Sequence, residues 1–160
     1  SSAWLWRILV TGRGGSLSGS EPGGPGRSDE QQAAEMSPLV LAYVGDAVWE
    51  LYVRTQLVAE RGTDARANEL HSLAKRAVNA ESQSAMVHAL LECLDDEERD
   101  VVRRGRNVRP GHVPRTSGPV DYRHATGFEA LLGFLHLTGR TKRLGEVLAV
   151  ARRLVDGVGR

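Results

Sequence analysis

Asp46 and Glu129 are each the lone carboxylate of a strongly apolar stretch, Leu41-Ala42-Tyr43-Val44-Gly45-Asp46-Ala47-Val48 and Ala125-Thr126-Gly127-Phe128-Glu129-Ala130-Leu131-Leu132. Both stretches read as buried helices. An isolated ionised carboxylate in such a setting costs several kcal/mol unless it is neutralised, paired or bound to a metal. Two of them, far apart in sequence, suggest that their helices pack together and the carboxylates converge. Convergent carboxylates with no Cys and no evident His partner favour a hard cation such as Mg²⁺. Such a cation activates water and stabilises charge on phosphoryl oxygens, which is the chemistry of phosphodiester hydrolysis. The plainer alternative is ion pairing, of Asp46 with Arg54 or another base and of Glu129 with Arg123 or His136.

A second group of residues suits nucleic acid. Between Val101 and Val120 there is no acidic residue, while Arg103, Arg104, Arg106, Arg109 and Arg115 all fall there, with Asn107 and His112 among them. The preceding run Asp95-Asp96-Glu97-Glu98 brings the formal net charge to +1 without cancelling this local field. Double-stranded RNA is read mainly through its shape and backbone, for which guanidiniums and an amide are well suited. No aromatic residue lies between Val101 and Asp121, so stacking on unpaired bases has little support. The bland reading is a helix end, where basic side chains complement the dipole. Tyr122 and Arg123, just ahead of the second acidic stretch, either orient a phosphate or pack structurally. His71, His88 and His136 lie on periodic segments and read as structural, and Glu50 reads as the helix partner of Arg54.

The elements that must hold these residues are helical. From Pro38 to Ala59 the chain is apolar on nearly all faces, with Asp46, Glu50 and Arg54 forming one stripe at i, i+4, i+8. Pro38 fits a first turn, and a helix apolar all round needs contacts on more than one side. Its own core can cover one side and a second subunit the other. Amphipathic segments follow at about 64–76, 78–94 and 95–106, with Asp64 a candidate cap and Asp95 with Glu98 resembling a capping box. Residues 107–120, rich in Gly and Pro, form a loop. Helices resume at about 121–138 and 141–156. No β-type alternation appears, so the fold class is all-α. Gly45 and Gly133 sit inside helices at a cost of about 1 kcal/mol each against Ala, which points to close helix approach.

Bulk properties set the frame. A chain of 160 residues fits one domain with a sizeable core. The single cysteine, Cys93, excludes an internal disulfide and a Cys-based zinc site, and suits a reducing compartment. Residues 1–36 are rich in Gly, Ser and Pro and are expected to be a disordered, non-catalytic tail. With Arg and Ser and no acid before Glu21, they also fit a targeting segment, or upstream sequence ahead of a start at Met36. Trp4-Leu5-Trp6-Arg7-Ile8-Leu9-Val10 is too short to span a membrane.

The same motifs carry a family resemblance. Gly45-Asp46-Ala47-Val48 resembles the signature helix of ribonuclease III, and Gly127-Phe128-Glu129-Ala130-Leu131 its second acidic motif. The fuller strings Pro38-Leu39-Val40-Leu41-Ala42-Tyr43-Val44-Gly45-Asp46-Ala47-Val48, Arg103-Arg104-Gly105-Arg106-Asn107 and Tyr122-Arg123-His124-Ala125-Thr126-Gly127-Phe128-Glu129-Ala130-Leu131-Leu132-Gly133 are more similar to Mini-ribonuclease III. That compact branch has a catalytic domain and no separate double-stranded-RNA-binding domain. The larger ribonuclease III enzymes carry two further acids, at positions occupied here by Ala42 and Thr126. These departures agree with the Mini-ribonuclease III pattern and place a fully protein-held two-metal site in doubt.

The resemblance implies a helical catalytic domain over residues 37–156, a short tail at 157–160, and a homodimer with one active site per subunit. It implies Mg²⁺-dependent cleavage of double-stranded RNA, with Mn²⁺ as a substitute, leaving 5′-phosphate and 3′-hydroxyl ends. Asp46 and Glu129 are then catalytic and metal-binding, and Arg103, Arg104, Arg106, Asn107, Arg109, Arg115, Tyr122 and Arg123 contact RNA. The implied substrate is a ribosomal RNA precursor (23S), in the cytoplasm, or in a chloroplast or other organelle if the first residues are a targeting segment. No membrane partner is expected. The competing readings are an inactive RNA- or ribosome-binding module and a helical interaction protein with salt-bridged carboxylates.

Overall fold

A computed structural model describes residues 29–109 and 118–158 of the chain. Among these the secondary structure is entirely helical: α1 (Asp29–Glu35), α2 (Pro38–Arg61), α3 (Ala67–Ala77), α4 (Ala80–Leu90), α5 (Asp96–Asn107), α6 (Pro119–Leu137) and α7 (Thr141–Val158). Two short 3-10 turns, Gly62–Asp64 and Leu91–Cys93, complete it. The all-α expectation is met.

The start of α2 follows from local chemistry. The Ser37 hydroxyl accepts from the Leu39 N–H at 3.3 Å and Pro38 sits in the first turn, where its missing donor costs nothing. The helix runs two residues beyond Ala59 and stops at Gly62, whose φ of 60° other residues adopt at a cost. Because Gly62–Asp64 then forms its own turn, Asp64 does not cap α3, which begins at Ala67 with no side-chain cap. At α5 the capping box is present: Asp95 accepts from the Glu98 N–H and Glu98 accepts from the Asp95 N–H.

α6 is the central element. Residues 124–128 and 130–135 are all buried, so the helix is wrapped on nearly every side, chiefly by α2, α5 and α4. Trp49 on α2 and Phe128 on α6 are both fully buried, with ring centroids 5.3 Å apart in an edge-on pair. Such a pair adds about 0.5–1.5 kcal/mol beyond simple burial. Glycine sets the spacing of two crossings. A Cβ on Gly45 would sit 1.7 Å from the Glu129 carbonyl oxygen, and one on Gly133 would sit 1.9 Å from the Leu41 carbonyl oxygen. On the other flank, a Cβ on Gly105 would lie 2.8 Å from the Cα of Gly127. Only glycine permits backbones this close, which accounts for the in-helix glycines noted in the sequence.

The expected disordered tail is corrected at its end. Residues 29–35 form α1, and Ala33 within it is buried in the main core. The Ala34 carbonyl accepts from Arg104 Nη1 at 3.1 Å, and Glu30 pairs with Arg140 at 3.2 Å. Tertiary anchors therefore order a stretch whose own composition is too polar to fold. Residues 1–28 lie outside the described residues. At the other end, α7 continues to Val158, past the expected boundary at 156.

Glu98 shows how α5 and α7 are joined. Its side chain is 2% exposed and receives Arg143 in a two-point contact, Nε to Oε1 at 2.7 Å and Nη2 to Oε2 at 2.8 Å. One buried carboxylate thus closes the capping box and anchors a second helix.

Candidate active site

The close crossing of α2 and α6 decides where the acids sit. Asp46 follows Gly45, and Glu129 supplies the carbonyl against which Gly45 packs. The two carboxyl groups lie within hydrogen-bonding reach of each other and line one cleft with Tyr43, Gln83, Tyr122 and Thr126. Among the described residues neither carboxylate has an ion-pair partner. Arg54, the candidate for Asp46, instead pairs with Glu50 on the exposed stripe of α2.

The electrostatics follow from that arrangement. Burial, then the charge of Asp46, pushes the Glu129 carboxyl up to about 8, against a Gln83 hydrogen bond that lowers it. Asp46 is raised as well, first by partial burial and then by Glu50, while its hydrogen bond with Glu129 acts the other way. Asp46 keeps one side open to solvent. Two acids held together without a counter-charge share a proton or take up a cation. The donor set is all carboxylate oxygen, which fits a hard divalent ion that retains several waters. Among the described residues no group of three or more His, Cys, Asp or Glu gathers for a metal, and Asp46 and Glu129 are the two acids that line this cleft. The positions that hold acids in the larger enzymes are filled by Ala42, which is buried, and by Thr126, whose hydroxyl donates to the Tyr122 carbonyl at 2.8 Å.

The basic residues separate into distinct settings. Arg103 is paired with Asp100, and Arg104 is divided between the Ala34 carbonyl and Asp100. Arg106, half-buried, has no ion-pair or hydrogen-bond partner among the described residues. Its side chain lies beside Gly127, and its charge helps to lower the His124 pKa, after burial as the larger cause. Asn107, Arg109 and Arg123 are exposed, Tyr122 is half-buried at the cleft, and Arg115 lies outside the described residues, as does His112. The structure therefore gathers Asp46, Glu129 and Tyr122 in one place and packs Arg106 of α5 beside Gly127 of α6. It directs Arg103 and Arg104 to partners within the protein.

Polar residues of α4 were not evident as neighbours of this site from sequence. Gln83 is 1% exposed, and the Ser84 hydroxyl lies 3.0 Å from Nδ1 of the buried His124. The His88 ring packs edge-on against His124 with centroids 4.6 Å apart, in keeping with a structural histidine. The available signal was a glutamine in phase with Met86, Val87 and Leu90 on a buried helical face.

Among the described residues an all-helical bundle brings two carboxylates together at a glycine-spaced crossing. Comparison with known proteins gives the family. The Ribonuclease III domain profile matches residues 39–140. Mini-ribonuclease 3 of Symbiobacterium thermophilum is 46% identical over 121 residues, covering 76% of this chain and 92% of that protein. Mini-ribonuclease 3 of Desulfitobacterium hafniense is 51% identical over 110 residues, 69% of this chain and 68% of that one. A crystal structure of a Fusobacterium nucleatum protein superposes with a TM-score of 0.67 at 26% identity, covering 79% of this chain and 98% of that one. The chain belongs to the ribonuclease III family of endoribonucleases, on its Mini-ribonuclease 3 branch.

Proposed function

We propose that this protein is a Mg²⁺-dependent endoribonuclease acting on double-stranded RNA. The observation that carries the reading is the Asp46–Glu129 pair, held together with no cation from the described residues. Asp46 and Glu129 would hold the ion, with Mn²⁺ as a substitute. When bound, the ion supplies positive charge and Lewis acidity at the scissile phosphodiester. Asp46, open to solvent on one side, meets the incoming phosphate. Glu129, half-buried behind it, fixes the site's depth. Tyr122 at the cleft wall orients the backbone. Arg106 and the exposed Asn107, Arg109 and Arg123 contact phosphates and 2′-hydroxyls. With two protein carboxylates only, any second ion comes in with the RNA phosphate.

A homodimer suits this reading. Val40, Tyr43, Leu51 and Val58 are 50%, 82%, 44% and 47% exposed, and recur along one side of α2. A second copy covering that stripe gives a two-fold arrangement matching the approximate symmetry of an RNA duplex. The substrate we favour is a 23S ribosomal RNA precursor, cut to leave 5′-phosphate and 3′-hydroxyl ends. The relatives named above are bacterial, which favours the cytoplasm, and no described helix is long and apolar enough to cross a membrane.

The test is cleavage of a labelled RNA duplex with Mg²⁺ by the full chain, Asp46→Asn and Glu129→Gln. Cleavage by the full chain that is lost in both folded variants supports the reading. Binding of structured RNA without cleavage, in Mg²⁺ and in Mn²⁺, would instead favour a non-catalytic RNA- or ribosome-binding module, for which the absent acids at Ala42 and Thr126 are the motive.

A further inference from the structure

The amide of Gln83 shares a cleft with the Glu129 carboxylate. Gln83 lines the same cleft as Asp46 and Glu129 yet is 1% exposed. Its Nε2 donates to the Val78 carbonyl at 3.1 Å, at the end of α3. That bond dictates which way the amide faces, since the reversed orientation would set two acceptors against each other. An amide nitrogen carries two hydrogens. Val78 takes one, which leaves the other for the Glu129 carboxylate in the shared cleft, whose pKa Gln83 lowers. The Oε1 atom is left buried with no hydrogen-bond partner among the described residues.

A packing role does not account for this choice of residue. Methionine or leucine would fill the same volume without burying an unsatisfied oxygen, which is a net cost. The cost is offset where the donated N–H acts on something that needs it. Glu129 sits on α6, Gln83 on α4 and Asp46 on α2, so three helices meet at one carboxylate. The carboxylate group can still rotate about its last torsion, which is broad. A donor fixed by its bond to Val78 and facing the carboxylate would limit that rotation.

We propose that Gln83 is a positioning residue, whose amide fixes the rotation of the Glu129 carboxylate so that it and Asp46 present a divalent-cation site. This rests on the reading of Asp46 and Glu129 as the metal-holding pair. Outer partners that orient metal ligands commonly contribute about 10–100-fold in metal affinity. Gln83 acts through Glu129 and touches neither cation nor RNA, so its effect falls on metal affinity and not on RNA affinity.

The experiment is calorimetric titration of the full chain with Mn²⁺, comparing the parent, Gln83→Met, Gln83→Asn and Glu129→Gln. Circular dichroism and melting record whether each is folded. Gln83→Asn keeps an amide but is one methylene too short, so it decides the question should the Met variant fail to fold. The expected result is about tenfold weaker Mn²⁺ binding in the folded Gln83 variants. The Mg²⁺ concentration giving half-maximal cleavage should rise in step, with the KM for duplex RNA unchanged. Mn²⁺ affinity within about twofold of the parent in both Gln83 variants, while Glu129→Gln loses it, would overturn the role of Gln83 alone (the expected loss being about tenfold). A parent chain that binds no Mn²⁺ would overturn the metal-pair reading and this proposal with it.

Discussion

Gly45 packs so tightly on Glu129 that a methyl group on the glycine would sit 1.7 Å from the glutamate's carbonyl oxygen. One residue later comes Asp46. The contact that brings two backbones together therefore also sets the separation of the two acids, and stability and chemistry share a single crossing. Gly45→Ala should force α2 off α6 and cost about 3 kcal/mol or more, beyond ordinary overpacking, because the obstacle is backbone. Urea unfolding measures the loss. A variant with unchanged stability would show that the helices can part freely.

The raised Glu129 carboxyl makes the metal-free protein sensitive to pH. Its proton is held more tightly in the folded chain, at about 8, than at the ordinary value of 4.5. The associated stability is full below about 4.5 and is lost as pH rises through about 8. Melting temperature in EDTA should decline across that window, and Glu129→Gln should flatten the decline. Added Mg²⁺ at neutral pH should raise the melting temperature and release protons, which calorimetry in two buffers detects. An identical decline in Glu129→Gln would assign the slope to other groups.

Arg106 and Arg104, two residues apart, should fail differently. Arg106→Ala should weaken duplex RNA binding and reduce the salt slope by about one counterion. Arg104→Ala should leave that slope alone and lower stability, since its guanidinium holds the Ala34 carbonyl. Binding isotherms at several salt concentrations separate the two. Equal slopes for the parent and Arg106→Ala would remove Arg106 from the RNA contact.

Removing Arg143 strands a buried charge. Glu98 is 2% exposed and takes two hydrogen bonds from Arg143. Arg143→Leu should cost about 3 kcal/mol, the lower end for a broken buried pair because the arginine itself is partly exposed. Glu98→Gln in the same chain should restore part of this, read from denaturant midpoints.

How much of this was legible in the sequence depends on distance. Asp46 and Glu129 suggested a chemistry, and Gly45 and Gly133 a close approach, because an acid and a glycine are each costly inside an apolar helix. The capping box at Asp95 and the end of the arginine-rich helix were readable because they depend on neighbours within one turn. Three features were not. α1 is held by Arg104 and Arg140, so nothing local predicts it. The sequence shows a run of arginines but not that Asp100 already engages Arg103 and Arg104. Gln83 is a polar residue on an apolar face, and only the fold shows that Glu129 faces it.

Helix α1 lies wholly ahead of the stretch matched by the family profile, yet its Ala33 belongs to the core. A variant lacking residues 1–35 would lose the Ala34 carbonyl and Glu30, leaving Arg104 with Asp100 alone and Arg140 with Glu97. Helix α1 thus couples anchoring of the bundle to the pairing of a guanidinium on the arginine-bearing helix α5.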